Sequence, residues 1–215
     1  MAPEQFSPSG GIYWIARFSV MVGLKVWNRY KSFGSENVPT HGGCMIAANH
    51  VSFLDPPAIV SGIRHRVVHF MARDTLFEGR VRGWFFRGVQ CIPIDRTKGD
   101  VSALRRGISS LKDGHCLAFF PEGTRSVTGE LQSAKGGLGF IVAKAGVAVV
   151  PTYVDGTFDA YPKGAKSIKR VPVRVFYGKP IEPSEIQQFG DGRDSYEKIS
   201  QLVMSRIAAL RPKKG

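Results

Sequence analysis

The chain has 215 residues, which most simply make one domain with a sizeable core. Its 43% hydrophobic and 22% charged residues are ordinary for a globular protein, and it holds no internal repeat or low-complexity tract. The formal net charge of +13 is not ordinary and calls for an anionic partner: nucleic acid, an anionic membrane surface or a phosphorylated substrate.

Residues 1–10 are polar and rich in Gly and Pro, and read as a loose end capped by Ser7 or Ser9. Ile12 to Trp27 is strongly apolar but holds Arg17 and Lys25. A spanning helix needs roughly 20 apolar residues with few charges, so spanning is not expected. Tyr13, Trp14 and Trp27 beside basic residues suit a helix lying at a bilayer interface; the alternative is a first helix packed into the core. No secretory signal is expected, because no basic stretch and small-residue cleavage site flank a clean apolar core.

After the turns at Gly34 and Pro39–Gly43, strands alternate with helices. Strands are predicted at Met45–Ala48, Val67–Met71, Gln90–Ile94, Cys116–Phe120, Ala148–Tyr153 and Val171–Tyr177. Helices are predicted at Pro56–Ser61, Leu76–Phe86, Val101–Leu111, Gly136–Ala145 and Ser195–Leu210. The last has Asp194 and Glu197 spaced as a capping box, with Tyr196, Ile199, Val203, Ile207 and Leu210 on one face. Short apolar strands separated by helices imply an α/β fold: one domain whose mixed, mostly parallel sheet is covered by helices on both faces. Cys44, Cys91 and Cys116 lie on or beside apolar runs with no close pair in sequence, which predicts buried, reduced thiols in a cytosolic setting.

Polar clusters fall where strands end, the place where such sheets bind ligands. The first is Asn49-His50-Val51-Ser52-Phe53-Leu54-Asp55-Pro56-Pro57. On one helix, residues five apart lie about 140° from each other and could not share a task. If His50 closes the strand and Asp55 caps the next helix, with Pro56 at its first position, the turn can fold the carboxylate onto the imidazole. A His held in that way is a general base for a hydroxyl. The alternative is that Asp55 is only a cap and His50 a satisfied polar residue. The second cluster is Ile92-Pro93-Ile94-Asp95-Arg96 and the third is Phe120-Pro121-Glu122-Gly123-Thr124-Arg125-Ser126. Each offers an arginine fork suited to bidentate phosphate binding, and Gly123 permits a tight turn with backbone N–H groups aimed at an anion.

These three clusters, followed by Val150-Pro151-Thr152, resemble the four blocks of the glycerolipid acyltransferases, in order. The resemblance is closest to the 1-acyl-sn-glycerol-3-phosphate (lysophosphatidate) acyltransferases. It implies acyl transfer from acyl-CoA or acyl-carrier protein to the glycerol hydroxyl of lysophosphatidate, with no cofactor and no metal. His50 would be the base and Asp55 would fix its tautomer. Arg96 and Arg125 would bind the acceptor phosphate, with Glu122, Gly123 and Thr124 shaping the pocket. Glu122 is a candidate for a glycerol hydroxyl, and backbone N–H groups near Gly123 for the oxyanion.

Two departures from the family pattern stand out. The aromatic residue common before a later Lys-x-Gly stretch is missing from Gln132-Ser133-Ala134-Lys135-Gly136-Gly137. One helix alone precedes the first block, so the expectation is a peripheral or monotopic enzyme on the cytoplasmic face of the membrane. On this reading residues 1–33 are a membrane-associating segment and residues 34–215 the acyltransferase domain. Basic clusters at Arg64 and Arg66, Arg80 and Arg82, and Lys163 to Arg170 fit an anionic leaflet; the alternative is plain solvated faces, and no single residue is assigned a contact.

The nearest alternatives keep the chemistry and change the acceptor to glycerol 3-phosphate, a lysophospholipid or a lyso-ornithine lipid. A nucleic-acid-binding module would explain the charge, but no helix-turn-helix, zinc-finger or RNA-binding aromatic motif is present, so nucleic acid is not expected as a partner. A metal hydrolase would need ligands beside His50, and His41, His65, His69 and His115 lack paired ligand spacing.

Overall fold

The structure, a computed structural model, describes residues 11–94, 100–135 and 137–213. The proposed cap at Ser7 or Ser9 and the candidate Arg96 lie outside the described residues.

Seven strands form one sheet: β1 (Lys31–Phe33), β2 (Cys44–Ala48), β3 (Val68–Arg73), β4 (Ile92–Ile94), β5 (Cys116–Phe119), β6 (Ala148–Asp155) and β7 (Arg174–Tyr177). Their spatial order is β1-β7-β6-β2-β5-β3-β4, and every neighbouring pair is parallel except β6 with β7. The helices are α1 (Gly11–Asn28), α2 (Asp55–Gly62), α3 (Arg80–Gly88), α4 (Asp100–Lys112), α5 (Leu138–Ala145), α6 (Thr157–Ala160), α7 (Pro183–Gln187) and α8 (Arg193–Ala209). The chain moves from β2 to β3 to β4 in one direction across the sheet and returns through β5 to β6. Right-handed crossovers therefore lay α2 and α3 on one face and α4 and α5 on the other.

Strand β2 is at the centre and all five of its residues are buried, which is why it reads as an unbroken apolar run. One core joins Cys44, Ile46 and Ala48 to Ala58 and Ile59 of α2. A second joins Met45 and Ala47 to Leu138, Ile141, Ile199, Val203 and Ile207 of α5 and α8. Alternate residues of β2 thus serve opposite faces. All three cysteines are buried thiols, and the register sets Cys44 directly across from Cys116.

Several boundaries differ from expectation for identifiable reasons. Helix α8 begins at Arg193 after Gly192, with no side-chain cap, so Asp194 and Glu197 do not form a capping box. The segment predicted as one helix from Leu76 splits into a short 3-10 turn (Asp74–Phe77) and α3, because Gly79 at φ 80° breaks the run. Strand β7 starts at Arg174. The residues before it are occupied by Asn28, whose amide donates to Lys169 and Val171 and whose carbonyl accepts from Val173.

Helix α1 is turned inside out. Its polar Arg17 and Asn28 are buried with Tyr13 and Leu24, while Trp14, Ile15, Phe18, Val22 and Val26 face outward. Arg17 donates to the carbonyls of Val60, Ser61 and Ile63 at 2.7–3.0 Å, and Tyr30 takes the Ala58 carbonyl at 2.8 Å. The last turn of α2, where helical carbonyls run out of backbone donors, is thereby satisfied largely by side chains. No helix among the described residues is long and apolar enough to cross a membrane. Arg66 donates to the carbonyls of Pro39, Gly42 and Gly114, so this member of the basic clusters stitches loops together.

Candidate active site

Three neighbouring strands, β2, β5 and β6, end on one edge of the sheet, and the loops that follow them build the site. Strand β2 ends at Ala48. Asn49 then extends its pairing with β6 by side chain, donating to the Val154 carbonyl at 3.0 Å and accepting from the Val154 N–H at 2.7 Å. This clamp fixes the direction in which the chain leaves the strand. His50 follows with its side chain 18% exposed, and its Nδ1 donates to Asp55 Oδ2 at 2.8 Å.

Asp55 is the first residue of α2, not its N-cap; Leu54 occupies that position and Pro56 the next helical one. The reason lies in the two prolines, since Pro56 and Pro57 bring no N–H and leave little for a cap to satisfy. The Asp55 carboxylate is spent on the turn instead. Oδ2 accepts from the N–H groups of Val51 and Ser52 at 2.7 and 2.8 Å, and Oδ1 accepts from Thr157 Oγ1 at 2.6 Å. With His50 this makes four donors on one fully buried carboxylate, which has no proton to return. Nδ1 of His50 must therefore carry the hydrogen, and Nε2 is left with the lone pair.

Thr157 comes from α6, inside the stretch Tyr153 to Pro162 to which the sequence assigns no chemistry. Gly156 at φ 80° makes its turn, and a Cβ there would lie 2.0 Å from the Pro172 carbonyl oxygen. Ser52 Oγ donates to the Tyr161 carbonyl at 2.7 Å, tying the same loop to the first cluster.

The loop after β5 lies under and beside the imidazole. The Phe120 ring stacks on His50 with centroids 4.0 Å apart. Glu122 is fully buried; its carboxylate accepts from the backbone N–H of His50 at 2.9 Å and of Gln132 at 3.3 Å. Burial pushes its carboxyl above the ordinary glutamate range, opposed by those two N–H donors. The Ser126 N–H donates to the His50 carbonyl at 2.8 Å. The first and third clusters are thus one hydrogen-bonded unit. Gly123 has φ 67°, which the turn requires, but its N–H donates to the Phe120 carbonyl at 3.0 Å and is not open to an oxyanion. Thr124 is exposed.

Arg125 sits with its guanidinium carbon 3.4 Å from the centroid of the exposed Phe53 ring, and its Nη1 is buried with no hydrogen-bond partner among the described residues. An arginine nitrogen withdrawn from water and left unpaired is primed for an anionic oxygen. Phe53 and Phe120 are residues that sequence reasoning passed over. Their signal was position alone, since one lies inside the His-x4-Asp spacer and the other closes β5. Among the described residues no three His, Cys, Asp or Glu side chains gather closely enough to hold a metal ion. A base with a fixed tautomer, in a loop hydrogen-bonded to the one that carries this arginine, suits proton abstraction from a phosphorylated alcohol.

Comparison with known proteins gives the family. The Acyltransferase family profile matches residues 29–155. The chain is 33% identical over 177 residues to a chloroplastic 1-acyl-sn-glycerol-3-phosphate acyltransferase of Arabidopsis thaliana, covering 80% of this chain and 49% of that protein. It is 26% identical over 195 residues to the 1-acyl-sn-glycerol-3-phosphate acyltransferase of Bacillus subtilis, covering 91% and 92%. The chain therefore spans about half the length of its chloroplast relatives and nearly all of the bacterial one. The crystal structure of the 1-acyl-sn-glycerophosphate acyltransferase PlsC from Thermotoga maritima superposes with a TM-score of 0.71 at 25% identity, covering 96% of this chain and 89% of that one. With the matched segment running from the end of α1 through β6, and so through every loop of the site except that of Thr157, the chain belongs to the Acyltransferase family.

Proposed function

We propose that this chain transfers a fatty acyl group from a thioester, acyl-CoA or acyl-carrier protein, to the free hydroxyl of 1-acylglycerol 3-phosphate, giving phosphatidate. The observation that carries the reading is the contact of His50 Nδ1 with Asp55 Oδ2 at 2.8 Å, in the loop whose Phe53 ring carries the Arg125 guanidinium. Nε2 of His50 takes the hydroxyl proton as the oxygen attacks the thioester carbonyl carbon, and Asp55 stabilises the imidazolium that forms. Collapse of the tetrahedral intermediate breaks the C–S bond, and His50 returns the proton to the leaving thiolate. The alcohol attacks directly, so no enzyme nucleophile is needed.

Arg125, with Arg96 from the second cluster, neutralises the acceptor phosphate. Gly123 and Thr124 line that pocket, and Glu122 braces it from below through the backbone of His50 and Gln132. Helix α1 rests on the cytoplasmic leaflet as a peripheral anchor, supported by its outward apolar stripe and the net charge of +13.

The test is acyl transfer from labelled acyl-CoA, and from acyl-carrier protein, to lysophosphatidate by wild type and His50→Ala side by side. Phosphatidate from the wild type alone is expected. Equal turnover by a folded His50→Ala protein would overturn the assignment of the base. No product from the wild type with either donor would overturn the acceptor.

A further inference from the structure

Helix α3 presents an apolar stripe that none of the described residues covers. Val81, Trp84 and Phe85 are 80%, 60% and 43% exposed, and their spacing puts them on one side of the helix. The opposite side packs through Gly83, where a Cβ would lie 2.3 Å from the Phe77 carbonyl oxygen. The small residue is therefore used to seat the helix, and the large ones are turned away from the core.

The stripe does not stand alone. One turn beyond it, Gly88 meets α1, since a Cβ there would come within 2.8 Å of Ile12 Cγ2. Helices α1 and α3 are thus packed against each other at this point. Crossover handedness sets α3 on the same sheet face as α2, the helix that begins with Asp55. The nine residues of α3 also contain Arg80, Arg82 and Arg87 and no acidic residue. Arg82 donates to backbone carbonyls of Glu78 and Thr75, and none of the three forms an ion pair among the described residues.

We infer that α3 is a second membrane-inserting element, whose Val81, Trp84 and Phe85 enter an anionic phospholipid leaflet while its arginines pair with the headgroups. The occupant follows from charge and continuity. A basic helix with Trp at the edge of an apolar strip matches the interface of an anionic bilayer, and a flat leaflet is a surface that can take both stripes at once. The inference rests on the reading of the chain as an enzyme whose acceptor lies in that leaflet. Two helices bound on the face that carries α2 would hold the His50 loop toward the headgroups.

Trp14, Trp27 and Trp84 are the chain's three tryptophans. In the full chain, a Trp14→Phe/Trp27→Phe variant leaves Trp84 as the sole reporter. It is mixed with phosphatidylcholine–phosphatidylglycerol vesicles, with and without brominated acyl chains. The expected result is a blue shift of Trp84 emission and quenching by the brominated chains, both weaker on pure phosphatidylcholine. Vesicles that sediment the protein, and quench Trp14 and Trp27 in a Trp84→Phe variant, without touching Trp84 would overturn the inference and leave α1 as sole anchor. A Trp84 shift that follows protein concentration without lipid, with a dimer by sedimentation velocity, would equally overturn it and assign the stripe to a second copy of this chain.

In a Val81→Ser/Phe85→Ser variant, transfer to vesicle-borne lysophosphatidate should fall by about tenfold while transfer to a short-chain, water-soluble acceptor is unchanged. A parallel loss on the soluble acceptor would overturn the inference by placing the stripe in the catalytic step. The Trp84 readout needs no turnover, so an inactive wild type would sink the acyl-transfer reading separately.

Discussion

Thr157 Oγ1 donates to Asp55 Oδ1 at 2.6 Å, closing the last open side of a carboxylate that already serves His50, Val51 and Ser52. The bond joins residues 102 positions apart and fixes the plane of the carboxylate, and through it the imidazole. Thr157→Val should lower kcat by about tenfold, the order of one hydrogen bond to a charged group, with KM for both substrates unchanged. Thr157→Ser should restore it. A loss of melting temperature alone, with kcat intact, would reduce Thr157 to a structural support.

Asp55→Asn follows a different logic from that of an N-cap, where Asn and Asp are interchangeable. Here the amide keeps its oxygen toward His50, Val51 and Ser52 only by turning its NH2 to Thr157, whose hydroxyl must then reverse and accept. Turnover should fall by orders of magnitude, because a neutral amide no longer stabilises the imidazolium, with a smaller loss of stability. Thermal denaturation and single-turnover kinetics on the same preparation separate the two losses. A folded Asp55→Asn enzyme with near-normal turnover would end the relay proposal.

Arg125→Ala should raise KM for lysophosphatidate by about ten- to a hundredfold and leave KM for monoacylglycerol, which lacks the phosphate, unaltered. Arg125→Lys should recover only part of the loss, because an ammonium cannot make the paired contact of the guanidinium fork. Equal KM shifts for both acceptors would remove Arg125 from the phosphate pocket.

His69 supplies a pH test away from the site. Burial, reinforced by the neighbouring His115, pushes its imidazole down to about 4, and Nδ1 donates to the Gln90 carbonyl at 3.0 Å. Between the ordinary value of 6.5 and about 4 the unfolded chain binds a proton that the folded one refuses. The stability held by neutral His69 is therefore complete above 6.5 and is lost as the pH falls toward 4, a loss on the order of 3 kcal/mol. The melting temperature of the wild type should drop across that window by more than that of His69→Asn, whose amide keeps the donor without the titration. Parallel curves for the two proteins would refute it.

The parts of the fold most legible in the sequence were those governed by apolar periodicity. Strand β2 and the buried side of α8 read directly, because burial on both faces or on one stripe leaves a local pattern. Strand β1, with only Lys31, Ser32 and Phe33, has no such pattern and exists because β7 offers it an edge. The capping box at Asp194 was a local signal overruled by the entry of the chain through Gly192. In the site, His50 and Asp55 were legible because they lie only five positions apart in sequence. Thr157 was not, since nothing near it in sequence says that β6 ends beside β2.

Helix α2 is gripped at both tips, by four donors on the side chain of Asp55 and by Arg17 at its last carbonyls. Its eight residues span about 12 Å, so it acts as a short strut between the outward helix α1 and the catalytic pair. A tilt of α1 against the body loads that strut along its length and reaches Asp55 as a displacement, with no soft loop between to absorb it. The inside-out polarity of α1 thus makes the position of the imidazole a mechanical function of how the first helix is held.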